Sequence, residues 1–504
     1  MRISLNLVLL IIILSGCSTF KSSFVPDKKY SPYDLARDYA VFKNVLEESH
    51  PGLYWYTCKD SMDHYFDWGK QQIKDSLTEP QFKQVLSYVL AKIDCGHTTI
   101  RFSKRYSRYL DTVRDEKYFP LSLKLWDDTT VVAANLNRKD TILKRGTVIS
   151  AIDHKPIEEI TDTLFKFISS DGINRTHKFQ TLSNRGGFGS MYTAVYGMED
   201  RYHVDYIDSA GKTRSMVIPV YDPAKDTFNR TAIRRFIRPT RKERKRLNIQ
   251  SIRSFRIDTS TRVAFLDVGS FGRGYQLRKF FRRSFRTIRR DRLKYLVIDV
   301  RGNGGGSVTN STLLSKYLAD KKFKVCDTLY AINRNSRYHS YINNYFFNRL
   351  FMVAFTKKRK DGYFHFGYFE RHYFQPKQKN HFDGESYILI GGNSFSATTL
   401  FTNSVIKQDN VTVVGEETGG GSYGNTAWLI PDVKLPQTKL QFRLPLFRLV
   451  MDKNQPKTGH GIQPEVEVKP SVEAITRNAD YKMDKVMELI RKDQNEKMTT
   501  KISK

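Results

Sequence analysis

Apolar residues recur at three- and four-residue steps in the first part of the chain, and in short alternations or unbroken runs thereafter. Leu35, Tyr39, Phe42, Val45 and Leu46 form one stripe, and Phe82, Val85, Leu86, Val89 and Leu90 another, which predicts a helical region over 31–112. Pro51-Gly52 ends the first helix after His50. The second stripe stops at Asp94-Cys95-Gly96-His97, where the alternation Thr99-Ile100-Arg101-Phe102 begins, so His97 is expected on a loop or strand edge past a helix C-terminus. Over 117–222 the runs Val131-Val132-Ala133, Val148 to Ile152 and Met216 to Val220 read as strands between turn signals. From Val263 the runs Val263–Val268, Tyr295–Val300, Tyr387–Ile390 and Val411–Val414 alternate with helical stretches at 276–290, 308–319 and 397–407. That alternation predicts an α/β core with a largely buried sheet containing parallel pairs. The stretch 330–383, rich in Tyr, Phe, Arg and Asn, reads as an insertion that either caps a cleft or elaborates the surface.

Three predicted strands run into glycine-rich loops: Arg301-Gly302-Asn303-Gly304-Gly305-Gly306, Gly391-Gly392-Asn393-Ser394-Phe395-Ser396, and Gly415-Glu416-Glu417-Thr418-Gly419-Gly420-Gly421. Ligands of α/β sheets gather at the C-terminal ends of strands, and glycine lets a backbone bring its N–H groups close to them. A phosphate-binding floor is the rival chemistry, but neither G-x-x-x-x-G-K-[ST] nor a well-placed G-x-G-x-x-G is present. Ser396, small and hydroxylated between a buried strand and a helix start, sits where a nucleophile can be held beside free helix N–H groups.

The N-terminus bears on compartment. Met1-Arg2, the apolar run Leu5 to Leu14 and Leu14-Ser15-Gly16-Cys17 form an export signal too short to span a bilayer. Its ending resembles a bacterial lipoprotein box, which implies lipidation of Cys17 after removal of residues 1–16, and Ser18 resembles the sorting context of the outer membrane. The expected location is the cell envelope, on the periplasmic face of the outer membrane. The net charge of +32 is concentrated: Arg234 to Arg246 carries eight Lys/Arg against one Glu, and Arg278 to Lys294 is similarly dense. With an export signal, the partner these patches suggest is anionic lipid or lipopolysaccharide rather than nucleic acid; the plainer reading is a solvated basic face on helices whose other face carries Phe280, Phe281, Phe285 and Ile288. Besides Cys17 the cysteines are Cys58, Cys95 and Cys326, without Cys-x-x-Cys spacing, so no disulfide framework, metal site or cofactor is expected, although Cys58 and Cys95 could pair.

Gly146-Thr147-Val148-Ile149-Ser150-Ala151-Ile152, a turn and Ile157 resemble the core of a PDZ-like module, which implies binding of chain ends by strand addition. Four ordered blocks carry a second resemblance: Asp299-Val300-Arg301-Gly302-Asn303-Gly304-Gly305-Gly306; Ser394-Phe395-Ser396-Ala397-Thr398; Val413-Val414-Gly415-Glu416-Glu417-Thr418-Gly419-Gly420; and Gly459-His460-Gly461-Ile462-Gln463-Pro464-Glu465. Together they resemble the C-terminal processing peptidases, the serine peptidases that include the tail-specific proteases and the tricorn core. His50-Pro51-Gly52-Leu53-Tyr54 and Gly96-His97-Thr98 resemble the leader of the tricorn-like bacterial lipoprotein branch. The likeness covers about 30–470. It implies an α/β multidomain chain: signal peptide 1–16, helical domain 30–112, PDZ-like domain 117–222, basic linker 223–256, a ClpP/crotonase-like peptidase core 257–470 with insertion 330–383, and a helical tail 471–504.

The resemblance implies Ser396 as nucleophile and His97 as base, acting on peptides or protein tails through an acyl-enzyme. Ala397, Gly304 and Gly305 would line the oxyanion hole, and Arg301 and Asn303 would brace the loop. The tail-specific branch takes a lysine where this chain has Gly421, so a Ser–Lys dyad is excluded. A glutamate expected before the closing block is missing at Lys457-Thr458-Gly459-His460, which leaves Glu416, Glu417 and His460 as candidates to orient His97. Ser394 reads as a cap, and Cys95 as no nucleophile. These departures motivate the alternative, an inactive pseudo-peptidase acting as a peptide-binding or scaffolding lipoprotein.

Overall fold

The computed structural model describes residues 24–113, 117–226 and 239–502. Cys17, the signal segment 1–16 and Arg234, Arg235 and Arg238 of the basic stretch lie outside the described residues. No helix among the described residues is long and apolar enough to cross a membrane.

The N-terminal region holds α1 (Pro32–Ser49), α2 (Lys59–Gln71) and α3 (Glu79–Ala91). Ser31 starts α1 by accepting the N–H of Asp34 ahead of Pro32, and Thr78 with Gln81 starts α3 through a reciprocal capping box. The predicted stripes of α1 and α3 are the buried ones, apart from Val85, which the core reaches less. Beyond α3 the short strand Ile100–Arg101 pairs with Gln441–Phe442, tying the loop that carries His97 to the distant C-terminal half.

The middle region is an antiparallel sheet of β1 (Leu121–Trp126), β2 (Thr129–Asn135), β3 (Val148–Ile152), β4 (Arg201–Ile207) and β5 (Thr213–Pro219), in that spatial order. It is packed with α4 (Ile157–Phe165), α5 (Arg175–Ser183) and α6 (Gly187–Tyr196) around its own core. Edge strand β1 is not open along its length. The Leu125 N–H donates to Ser183 Oγ at 2.9 Å, and the Ser183 hydroxyl lies 3.3 Å from the Leu125 carbonyl, so the end of α5 occupies that edge.

The third region is built on a sheet of β6 (Arg253–Asp258), β7 (Val263–Val268), β8 (Tyr295–Asp299), β9 (Glu385–Ile390), β10 (Val411–Gly415) and β11 (Val466–Glu467). Only the first pair in this order is antiparallel. The expected linker 223–256 therefore ends early: Arg253 already belongs to an edge strand, its alternating Arg-Ser-Phe-Arg pattern masked by the basic run before it. One face of the sheet is covered by α7 (Leu277–Arg290), α8 (Val308–Leu318) and α10 (Ala397–Val405). The other is covered by α11 (Tyr481–Ile502) through Val486 and Ile490, so the C-terminal tail completes the core. In α7 the stripe Leu277, Phe281, Phe285 and Ile288 is buried while its seven Arg/Lys are exposed.

The insertion is not a free flap over a cleft. It contains α9 (Tyr345–Phe355), and its Ile342, Met352 and Phe366 share one core with Phe42, Phe82 and Leu86 of the N-terminal helices. The preceding strand Thr328–Ala331 pairs with Phe447–Val450.

Candidate active site

The C-terminal ends of β8, β9 and β10 bring the three glycine loops side by side. Between β9 and α10 the chain turns at Ser396, whose backbone has φ 57° and ψ −120°. An L-residue is strained there by about 1–3 kcal/mol, a cost found where a side chain must be aimed at a site. Ser396 occupies the N-cap position of α10, yet its hydroxyl caps nothing. Ser394, expected to cap, instead braces the loop: its hydroxyl donates to the Val300 carbonyl at 2.8 Å and accepts the Gly391 N–H at 3.2 Å.

The loop after β8 packs directly against this turn. Gly305 has φ +97°, and a Cβ there would stand 2.7 Å from both the Phe395 carbonyl oxygen and Ser396 Cβ. Asn303 is fully buried: its side-chain amide donates to the Val268 carbonyl at 2.9 Å, and its backbone carbonyl accepts from Phe395 N at 3.1 Å and Thr398 Oγ1 at 2.8 Å. The Gly305 N–H, expected to face an oxyanion, is instead donated to Asn303 Oδ1 at 2.9 Å. No acceptor meets the N–H of Ala397 or Gly304 among the described residues, and Gly304 borders open space. Arg301 points away, into ion pairs with Asp299 and with Asp480 just ahead of α11.

His97 is buried at 4 % exposure on the loop after α3. Its ring packs on that of Phe395, 4.7 Å between centroids, one residue from Ser396. Among the described residues neither ring nitrogen has a hydrogen-bond partner, so the Ser396 hydroxyl and His97 are neighbours through Phe395 but are not bonded in this state. Burial, reinforced by Arg443, His177 and His50, lowers the imidazole to about 3. The position is fixed from behind. The Gly52 N–H donates to His50 Nδ1 at 3.2 Å, His50 Nε2 lies 2.7 Å from Thr98 Oγ1, and Thr98 Oγ1 donates to Cys95 Sγ at 3.2 Å.

The orienting candidates Glu416, Glu417 and His460 serve other contacts. Glu416 pairs with Lys482; Glu417 accepts from Asn174, Thr176 and the Gly461 N–H, and lies beside His460. The carboxylate beside His97 is Asp171, which sequence reading missed. It is buried, accepts the Gly96 N–H at 2.8 Å and the Gly421 N–H at 3.2 Å, and places an oxygen within 4.8 Å of a His97 nitrogen. Burial pushes it up to about 7, against the pull of the two N–H donors. His177 on α5 was also missed; its Nδ1 lies 2.8 Å from the Gly392 carbonyl, and its ring stacks on Phe395 at 5.2 Å between centroids. Ser169-Ser170-Asp171-Gly172 reads as an ordinary turn, so no sequence signal marked Asp171. Cys58 is exposed and Cys95 buried, and neither forms a disulfide among the described residues.

Residues 262–468, which span β7 to β11 and both glycine-loop walls of the site, match the model of peptidase family S41. The segment that holds Ser396 and the three glycine loops is thus that of an S41 peptidase, and the chain is a serine-type peptidase. The mature CPAF structure complexed with lactacystin superposes with a TM-score of 0.63 at 14 % identity, covering 91 % of this chain and 98 % of that one. Mature CPAF superposes at 0.62, also at 14 % identity, covering 92 % and 98 %. At such identity the likeness speaks for the fold, and it extends well beyond the matched S41 segment into the helical and β regions. The photosystem II D1 C-terminal processing protease aligns at 12 % identity over 88 % of this chain and 96 % of its own, with a TM-score of 0.40. No curated protein matches the sequence.

Proposed function

We propose that this S41 peptidase is an endopeptidase of the cell envelope that cuts peptides or protein tails by acyl transfer from Ser396. The observation that carries the reading is the strained Ser396 at the start of α10 with its hydroxyl left uncapped. In the substrate complex Ser396 Oγ and one His97 nitrogen must close to about 3 Å, as catalytic hydrogen bonds commonly do only around substrate. His97 then takes the hydroxyl proton as Oγ attacks the scissile carbonyl, and returns it to the leaving amine. Asp171 stabilises the transient imidazolium from the other ring nitrogen. The Ala397 and Gly304 N–H groups, with the helix dipole behind Ala397, receive the oxyanion; losing one such donor typically costs about 10²–10³ in rate. Ser396→Ala and His97→Ala should each abolish turnover of an unfolded peptide substrate while the far-UV spectrum and melting transition persist. Full activity in Ser396→Ala would overturn the mechanism.

The unpartnered nitrogens of His97 favour a second reading, a peptide-binding pseudo-peptidase. On that reading peptides bind the purified protein and remain intact over days. Strand addition at β1 would have to displace Ser183 from Leu125.

Lipidation at Cys17 and residence at the periplasmic face of the outer membrane remain part of the proposal, and two surfaces support a membrane partner. On α9, Phe346, Phe347, Leu350 and Val353 are exposed, next to Arg349, Lys357 and Lys358. A cleft of about 970 Å³ between α7 and α8 is lined by Arg278, Lys279, Arg282, Lys316 and Lys377 with no acidic residue, and none of the five forms an ion pair among the described residues. Cations over an apolar floor suit phosphorylated lipid head groups.

A further inference from the structure

Cys95 and His97 lie on one loop and Asp171 lies in another region of the fold, yet one ligand atom of each falls within 4.8 Å of the other two, with all three residues buried. A thiolate, an imidazole and a carboxylate form a donor set suited to zinc and related divalent ions. An independent observation points the same way. Both nitrogens of His97 are buried without a hydrogen-bond partner among the described residues, whereas buried polar side-chain atoms are ordinarily satisfied. The thiol, by contrast, has partners, with Sγ 2.5 Å from Thr426 Oγ1 and 3.2 Å from Thr98 Oγ1.

We propose that Cys95, His97 and Asp171 bind a zinc-class divalent cation, and that the bound ion switches the peptidase off by occupying His97. The inhibitory half rests on His97 being the base; the binding half does not. Metal bonds of about 2.0–2.3 Å place tetrahedral donors roughly 3.5 Å apart, so the three groups must draw together by about an ångström. Rotation of His97 can supply much of that, because no hydrogen bond restrains its ring. As the Sγ–metal bond forms, the thiol proton leaves to solvent. The dication then compensates two negative charges that burial disfavours. Three protein ligands leave a fourth position open for water. A cavity of about 350 Å³ lined by Gly96, Thr99 and His177 borders the cluster and offers an approach. No motif marks this site, since Cys-x-His is not a ligand spacing and its third member comes from a turn 74 positions beyond His97.

Cobalt(II) is the direct probe, titrated into the full chain carrying Ser396→Ala so that turnover plays no part. A stoichiometric thiolate-to-cobalt charge-transfer band that Zn²⁺ abolishes, and that Cys58→Ser leaves intact, is the expected result. Cys95→Ser should remove the band, and Asp171→Asn should weaken cobalt binding by at least about tenfold. No band in the parent protein, or an undiminished band in Cys95→Ser, would overturn the site. With Ser396 restored, Zn²⁺ should inhibit peptide turnover, and Cys95→Ser should raise the midpoint of that inhibition at least about tenfold relative to its own metal-free turnover. Unchanged inhibition in Cys95→Ser would overturn the switch. A protein that shows the band but never cleaves peptide would refute the peptidase reading and leave the metal site standing.

Discussion

The imidazole of His97 lies against the phenyl ring of Phe395, 4.7 Å between centroids, so the base and the nucleophile are joined by the residue that precedes Ser396. His177 stacks on the same ring from α5. The three regions of the fold thus meet at Phe395: the helical region through His97, the β region through His177 and the S41 core through the chain itself. Small shifts of Phe395 therefore move the base relative to Ser396.

Gly305 sets how closely the second loop wall can approach. A Cβ there would stand 2.7 Å from Ser396 Cβ and would force φ +97° on an L-residue. Gly305→Ala should lower kcat by at least about 10²-fold, as expected when an oxyanion donor is displaced, and lower the denaturation midpoint. Steady-state kinetics and urea unfolding on the same preparation check both halves.

Ser396 bears backbone strain for its role. Ser396→Gly relieves φ 57° and should be inactive yet at least as stable as the parent, a gain of up to about 1–2 kcal/mol after glycine's added chain entropy. Ser396→Ala keeps the strain and should show no such gain. Calorimetry of the two variants side by side separates them.

The pH dependence has a defined sign. Asp171 rises from 3.8 to about 7 on folding, so the stability linked to it is full below about 3.8 and lost as pH rises through about 7. Asp171→Asn should therefore be more stable than the parent above pH 7 but less active, with the rise in kcat/KM near pH 7 removed. His97 and His50 are lowered from 6.5 to about 3, so their contribution is present above 6.5 and lost as pH falls towards 3. Unfolding midpoints across this range, with kcat/KM profiles for parent and Asp171→Asn, test both signs.

Phe346→Asp with Phe347→Asp should reduce partition of the unlipidated chain onto anionic vesicles by at least about tenfold, given the transfer energy of one aromatic side chain. Binding of the parent should weaken as salt rises. Equal sedimentation of both proteins with vesicles would remove α9 from the proposed membrane face.

Much of the S41 core was legible in the sequence because its strands are near-continuous apolar runs that end in glycine loops. Ser396 as a candidate and the helical placement of the stripes Leu35–Leu46 and Phe82–Leu90 followed from local pattern, whereas the role of Asn303 came from the family resemblance. Three features did not. Arg253–Asp258 was hidden as a strand because its charged residues continue a basic run. The Gly305 N–H does not face an oxyanion because the Asn303 side chain curls back onto it, which spacing alone does not reveal. Asp171 was invisible because its role comes from two backbone donors, Gly96 and Gly421, that only the assembled fold brings to it.

The most direct test of the central claim is labelling of the active protein by a fluorophosphonate, with the adduct located by mass spectrometry of the digested chain. The account predicts one adduct, on Ser396, formed slowly or not at all in His97→Ala. An adduct elsewhere, or undiminished labelling of Ser396 without His97, would contradict it.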